Sequence, residues 1–219
     1  IFLDTADLTE MHRLASEVDG FTTNPSLMRK AGVQDYEPWA RSLLKAITDK
    51  PMSFEVTASD SSEMIRQACL INSWGLNAWA KIPVQTEQGG LNIKTITALV
   101  KSGCRINVTA ICSLAQVESV LDAINIQGAA SLYLSIFAGR ISDTRQDPCK
   151  IIRESVHAAK MFPNIQIIWA STRCVRDFDR AEHAGCHVIT VSPAILAKRK
   201  LRGMTGEEMS RLTVAQFQD

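Results

Sequence analysis

The chain has no excess of either charge: 24 Lys plus Arg stand against 23 Asp plus Glu, for a formal net charge of +1 in 219 residues. That balance offers no electrostatic footprint for nucleic acid or for an anionic membrane surface, so neither is expected as a partner. No apolar run reaches bilayer-spanning length, and no secretory leader is recognised, since Ile1-Phe2-Leu3-Asp4 already reads as a strand. The six cysteines (Cys69, Cys104, Cys112, Cys149, Cys174 and Cys186) form no C-x-x-C pair, so neither a zinc knuckle nor a redox motif is expected. Most stand among apolar neighbours, where a reduced core thiol is the ordinary role, and a cytoplasmic protein is the simplest fit. His12, His157, His183 and His187 lack ligand spacing. Neither a metal nor a cofactor is expected. Linker-like and low-complexity segments are missing too, which leaves one domain over 1–219.

What the chain does have is alternation. Short apolar runs read as strands at Ile1–Thr5, Gly20–Thr23, Met52–Val56, Ala78–Ile82, Arg105–Val108, Ser131–Leu134, Gln166–Trp169 and His187–Thr190. Helical patterns fall between and after them, at Leu8–Glu17, Asp35–Thr48, Ser61–Trp74, Leu91–Lys101, Ser113–Asn125, Pro148–Met161, Val175–Ala184 and Pro193–Arg202. Gly75, Gly103, Gly128 and Gly185 stand where helices end, and Ser61, Ser113 and Ser192 where they begin. Eight strand–helix units predict a closed α/β (β/α)8 TIM barrel, with an open doubly wound sheet as the competing architecture. The tail 203–219 lies outside the eight units and reads as a short amphipathic helix. Its apolar residues Met204, Met209, Leu212, Val214 and Phe217 have no barrel unit to complete, which predicts a homo-oligomer.

One cation interrupts an apolar strand: Lys81, in Ala78-Trp79-Ala80-Lys81-Ile82-Pro83-Val84. Burial disfavours an ammonium group. The neutral amine it favours can attack a carbonyl and form a Schiff base. The bland alternative is a stem lying along the strand with its tip in water. In a barrel of this kind chemistry sits at the C-terminal strand ends, and strand after strand delivers a polar group there. Strand one ends in Asp4, and strand two runs into Thr22-Thr23-Asn24-Pro25-Ser26. Strands three to five carry Glu55, Lys81, and Asn107 with Thr109. Strands six and seven lead to Ser135 and Arg140, and to Ser171 and Arg173. Each has a plain alternative: a helix cap for Asp4, a turn at Asn24-Pro25, a buried Glu55–Lys81 pair, satisfied core groups at Asn107 and Thr109, surface arginines. Seven consecutive polar strand ends are harder to assign to packing. Together they suit attack by Lys81 on a ketose, proton movement through Asp4 and a water held by Glu55 and Thr109, and a phosphate on Arg140, Ser171 and Arg173.

Leu3-Asp4-Thr5-Ala6, Thr22-Thr23-Asn24-Pro25-Ser26-Leu27, Lys81-Ile82-Pro83-Val84 and Asn107-Val108-Thr109-Ala110 resemble the transaldolase family in its small single-domain branch. Phe137-Ala138-Gly139-Arg140-Ile141 and Ala170-Ser171-Thr172-Arg173 continue the match over most of the chain. The resemblance implies a class I enzyme that moves a dihydroxyacetone unit between phosphorylated sugars. Lys81 falls on its Schiff-base position, Asp4 on the acid–base aspartate, and Glu55 and Thr109 on the water-holding pair. Asn24, Asn107 and Ser135 fall on its substrate positions, with Thr23 and Phe137 beside them, and Arg140, Ser171 and Arg173 on its phosphate positions. It also implies a pentamer-based decamer. The alternatives are a fructose-6-phosphate aldolase-type lyase, which is expected to carry glutamine at 55 and tyrosine at 137, a transferase acting on a specialised sugar, and a barrel that binds sugar phosphate without turnover.

Overall fold

A computed structural model describes residues 1–124 and 131–218. Eight strands form a closed barrel in chain order: β1 (Phe2–Asp4), β2 (Gly20–Thr22), β3 (Met52–Glu55), β4 (Ala78–Pro83), β5 (Ile106–Ile111), β6 (Leu132–Phe137), β7 (Ile165–Ala170) and β8 (Val188–Val191). All neighbours pair parallel. The pairing Phe2↔Thr190 and Leu3↔Val191 between β1 and β8 closes the ring and rules out the open sheet. Around it run α1 (Leu8–Leu14), α2 (Pro25–Lys30), α3 (Tyr36–Ala46), α4 (Ser61–Ser73), α5 (Ile93–Lys101), α6 (Leu114–Ile124), α7 (Ala138–Asp143), α8 (Pro148–Ala159), α9 (Arg176–Ala184), α10 (Pro193–Ala197) and the tail helix α11 (Gly206–Gln216). None of the described helices is long and apolar enough to cross a membrane.

Successive strand side chains point to opposite faces, and the two faces here have different company. The outward residues, such as Leu3, Phe21, Phe54, Ile82, Val108 and Trp169, join one large apolar core beneath the helices. The inward ones begin with a separate floor of Phe2, Tyr133 and Ile168, packed with Trp79 and Val188. Phe2 and Tyr133 meet edge to face at 5.5 Å, and Trp79 lies 4.3 Å from Tyr133 between ring centroids. Gly20 leaves room for this floor, because a Cβ there would lie 2.6 Å from the Phe2 ring. Two residues further along each strand, the same inward face carries Asp4, Thr22, Lys81, Ser135, Ala170 and Thr190.

The opposite, N-terminal end of the barrel is tied by side chains that donate to backbone carbonyls. Arg105 donates to Ala78 (3.0 Å), Asn72 (3.0 Å) and Gly75 (2.9 Å). Lys50 reaches Ala15 and Val18 at 2.6 and 2.7 Å, and Asn77 reaches Ile47 at 2.7 Å.

Several local expectations change. Ser61 is the first residue of α4, and Asp60 caps it by accepting from Glu63 N at 2.9 Å; a carboxylate also suits the positive helix end. Ser61 bonds Thr95 instead, at 2.7 Å. Ser113 and Ser192 do accept from the first turns of α6 and α10. Gly103 and Gly185 take left-handed φ of 70° and 79°. Gly75 does not; a Cβ there would sit 3.0 Å from Asn77 Oδ1, so space is its constraint. Gly128 and Asn125 lie outside the described residues. β5, β6 and β7 run past their expected ends at Val108, Leu134 and Trp169: the inward polar residues Thr109 and Ser135 are part of β5 and β6, and β7 takes in Ala170. α2 and α7 are short helices that the reading of turns and loops missed. Cys69, Cys112 and Cys174 are exposed rather than in the core. Cys69, for instance, follows the inward Ala68 by one position on α4 and so turns toward solvent.

Candidate active site

The cleft at the C-terminal mouth is lined by Asp4, Thr22, Asn24, Lys81, Thr109, Ser135, Phe137, Arg140, Ala170, Ser171 and Thr190. Lys81 is its centre. β4 places it one pleat above Trp79, and its side chain keeps only 7% exposure. Nζ donates to the Thr23 carbonyl at 2.9 Å and lies 3.3 Å from Glu55 Oε2. Its stem does not run out to water. The pair with Glu55 is present, though the Glu55 side chain is only partly buried, and it brings a carboxylate to the amine.

Asp4 closes β1 inside the ring. Its neighbour Asp7 caps α1, accepting from Thr9 N at 2.9 Å, so Asp4 is released from that duty. Asp4 Oδ1 accepts from Thr22 Oγ1 at 2.8 Å. Burial pushes the Asp4 carboxyl above its ordinary range, while the Lys81 charge and the Thr22 hydrogen bond pull the other way. Thr22 also lies 2.8 Å from the hydroxyl of Thr190.

Asn24 has two jobs. Its Oδ1 caps α2 by accepting from Leu27 N at 3.0 Å, with Pro25 in the first turn. Its amide nitrogen is left for the cleft. Asn107 sits lower and fully buried, held between Ser53, to which Nδ2 donates at 3.1 Å, and Ser135, which donates to Oδ1 at 2.8 Å. Ser135 lines the cleft, and Asn107 orients it from beneath. Thr109 is buried and its hydroxyl has no partner among the described residues. A buried hydroxyl without a partner costs energy, and this one faces the cleft where a water or a substrate oxygen can meet it. Ala110, next along, takes φ 60° where β5 slips register against β6.

The two candidate phosphate arginines are placed differently. Arg140 lines the cleft from α7. Arg173 does not line it; it lies beside it, with Nη2 2.8 Å from Asp143, a carboxylate also 3.9 Å from Arg140. Its backbone N–H donates to the buried Asp177 at 2.8 Å. Ser171 adopts φ 58°, a left-handed conformation that a non-glycine residue holds only when its surroundings impose it. Gly139 permits this meeting of loops: a Cβ there would lie 2.1 Å from the Ser171 carbonyl oxygen and 2.5 Å from Arg173 Nε.

Not every expected residue enters the cleft by its side chain. Thr23 contributes its carbonyl to Lys81, while its hydroxyl is buried without a partner among the described residues. Glu55 reaches Lys81 from behind and otherwise lines a neighbouring hollow between α3 and α4 with Tyr36, Arg66 and Trp74. The Tyr36 hydroxyl donates to the Glu55 carbonyl at 3.0 Å and fixes that strand end. Ser53, Thr22 and Thr190 are site residues the sequence reading did not assign. Among the described residues no group of three His, Cys, Asp or Glu is placed to hold a metal. The segment after β4 folds as a small hairpin, with Thr86 N donating to Gly90 O at 2.8 Å and Gln85 bridged to Leu91.

The chain is similar to known proteins over nearly its whole length. A family model described as transaldolase/fructose-6-phosphate aldolase matches residues 1–218. A probable transaldolase of Dehalococcoides mccartyi is 33% identical over 214 residues, covering 96% of this chain and 94% of the relative. A probable transaldolase of Streptococcus agalactiae is 34% identical over 193 residues, 87% of this chain and 84% of the relative. Among solved structures, 3-hexulose-6-phosphate synthase from Salmonella typhimurium superposes with a TM-score of 0.62 over 90% of each chain at 16% identity, a likeness of fold.

Proposed function

The chain belongs to the transaldolase/fructose-6-phosphate aldolase family, and on that footing we propose that it transfers a dihydroxyacetone unit from a ketose phosphate to an aldose phosphate through a Schiff base on Lys81. The observation that carries this reading is one buried amine 3.3 Å from the Glu55 carboxylate, in a cleft that the Asp4 carboxylate also lines.

Lys81 Nζ attacks the ketose carbonyl. Glu55 and the unpartnered Thr109 hydroxyl hold the water through which the carbinolamine loses its oxygen. Asp4 takes the proton from the hydroxyl next to the carbon–carbon bond that breaks. This leaves an enamine on Lys81 and releases the first aldose. The enamine then attacks an incoming aldose phosphate, and the steps run in reverse. Asn24 and Ser135 bind sugar hydroxyls, with Asn107 behind Ser135, and Arg140, Ser171 and Arg173 take the phosphate. Borohydride reduction in the presence of fructose 6-phosphate is expected to add a reduced three-carbon adduct to the peptide bearing Lys81. Labelling of a different lysine, or none, overturns the assignment. Lys81→Arg is expected to abolish turnover, since a guanidinium stays charged.

Transfer is favoured over plain cleavage by two side chains. Phe137 lines the cleft without a hydroxyl that helps water protonate the enamine, and Glu55 is a carboxylate rather than an amide. Phe137→Tyr with Glu55→Gln is expected to raise release of free dihydroxyacetone relative to transfer. Equal rates of release and transfer in the unmodified protein would favour the lyase. A cytoplasmic homo-oligomer, built through the apolar tail, belongs to the same proposal.

A further inference from the structure

Thr22 and Thr190 face each other at the inner face of β2 and β8, next to Asp4 on β1. Both are buried, at 3% and 6% exposure. Thr22 Oγ1 lies 2.8 Å from Asp4 Oδ1 and 2.8 Å from Thr190 Oγ1. A hydroxyl has one hydrogen, and an ionised carboxylate can only accept. The hydrogen of Thr22 therefore goes to Asp4. The contact between the two threonines then needs a donor, and only Thr190 can supply it. We propose that Thr190 is a positioning residue for the reaction: by donating to Thr22 it commits the Thr22 hydrogen to Asp4 Oδ1 and leaves Oδ2 to exchange the proton with substrate.

The surroundings support this direction. No hydrogen bond among the described residues engages Asp4 Oδ2, and Asp4 lines the cleft. The Thr190 carbonyl accepts from Thr172 Oγ1 at 2.7 Å, which ties the end of β8 to the segment after β7 and holds Thr190 in place. Linked hydroxyls polarise one another, so the Thr190 bond strengthens the one that Thr22 gives to the carboxylate. The charged groups around Asp4 are Lys81 on β4, with Glu55 of β3 beyond it, and Arg140 of α7 at the rim. Thr22 and Thr190 are neutral at all working pH values, so they bias Asp4 without titrating. The anion gains more from the relay than the acid does.

The proposal rests on the reading of Asp4 as the proton acceptor, and the test separates the two. Thr190→Val keeps the shape and removes the hydroxyl. Transfer between fructose 6-phosphate and erythrose 4-phosphate is expected to lose roughly tenfold in kcat, part of what a positioned acid–base group supplies, with KM within about twofold. The acid limb of the rate profile should move up, because the carboxylate loses part of its hydrogen-bond support. Thr190→Ser, which restores the hydroxyl, should recover both. Borohydride trapping of the intact six-carbon Schiff base of fructose 6-phosphate on Lys81 should be unchanged in all three proteins, because that adduct forms before the Asp4 proton transfer. An unshifted limb, or a serine variant as impaired as the valine one, overturns the proposal; if the valine variant does not fold, Thr190→Ala replaces it. Should Asp4→Asn retain full activity, or Lys81 resist labelling in the unmodified protein, the premise fails and the relay with it.

Discussion

Asp4 carries the sharpest tension between stability and function. Burial raises its carboxyl above the ordinary 3.8, so the folded state holds that proton more tightly than the unfolded chain. The stabilising contribution is therefore complete below about pH 3.8 and is lost as pH rises through the raised value. At neutral pH the ionised Asp4 costs the fold, with Lys81 and Thr22 returning part of that cost. Asp4→Asn is expected to inactivate the enzyme and raise its melting temperature at pH 7, with the gain shrinking as the pH is lowered toward 4. A variant that melts lower than the parent at pH 7 contradicts this account. Asp4 and Lys81 were legible in the sequence because a charge within an apolar strand conflicts with burial and asks for a reason. Thr22, Ser53 and Thr190 gave no such signal. Threonine is an ordinary strand residue, and a small hydroxyl in a strand does not disturb the pattern around it.

Short elements at the mouth decide how the site is shaped, and they were the least readable part. α2 and α7 are six residues each, too short for a hydrophobic period to appear. Asn24 shows what was hidden: the turn it seemed to mark is a helix start. Its two duties can be separated. Asn24→Asp keeps a cap oxygen, so thermal stability should stay near the parent, while loss of the amide donors should cut activity at least tenfold. Asn24→Ala should lose both, with about 1 kcal/mol from the cap. Equal melting temperatures for the alanine and the parent protein would remove the capping argument. Between β6 and β7, Gly139→Ala must displace the Ser171 carbonyl or the Arg173 side chain. KM for phosphorylated sugars should rise severalfold, with a much smaller effect on unphosphorylated analogues. Uniform loss on both substrate types would place the damage in the fold rather than in phosphate binding.

At the scale of the whole molecule, eight regular units predicted the closed barrel, and the β1–β8 pairing completes it. The aromatic floor within it was not anticipated, since Phe2, Trp79 and Tyr133 stand in strands with apolar residues on both faces and no alternation distinguishes in from out. α11 contributes no buried residue; Met209 and Val214 on it and Phe217 at its C-terminal cap are exposed at 40%, 51% and 80%. Light scattering at micromolar concentration is expected to give an assembly, and Phe217→Asp to weaken it; a stable monomer contradicts the oligomer. The Arg105, Lys50 and Asn77 ties matter in a different way. They lie at the end of the barrel away from Lys81 and touch only backbone. In a saturating mutational scan, substitutions there should lower the amount of protein in the cell while each surviving molecule works at full speed. Substitutions in the Asp4–Lys81 layer should leave abundance intact and silence the molecules that accumulate, so one barrel yields two rings of sensitive positions, each visible to a different assay.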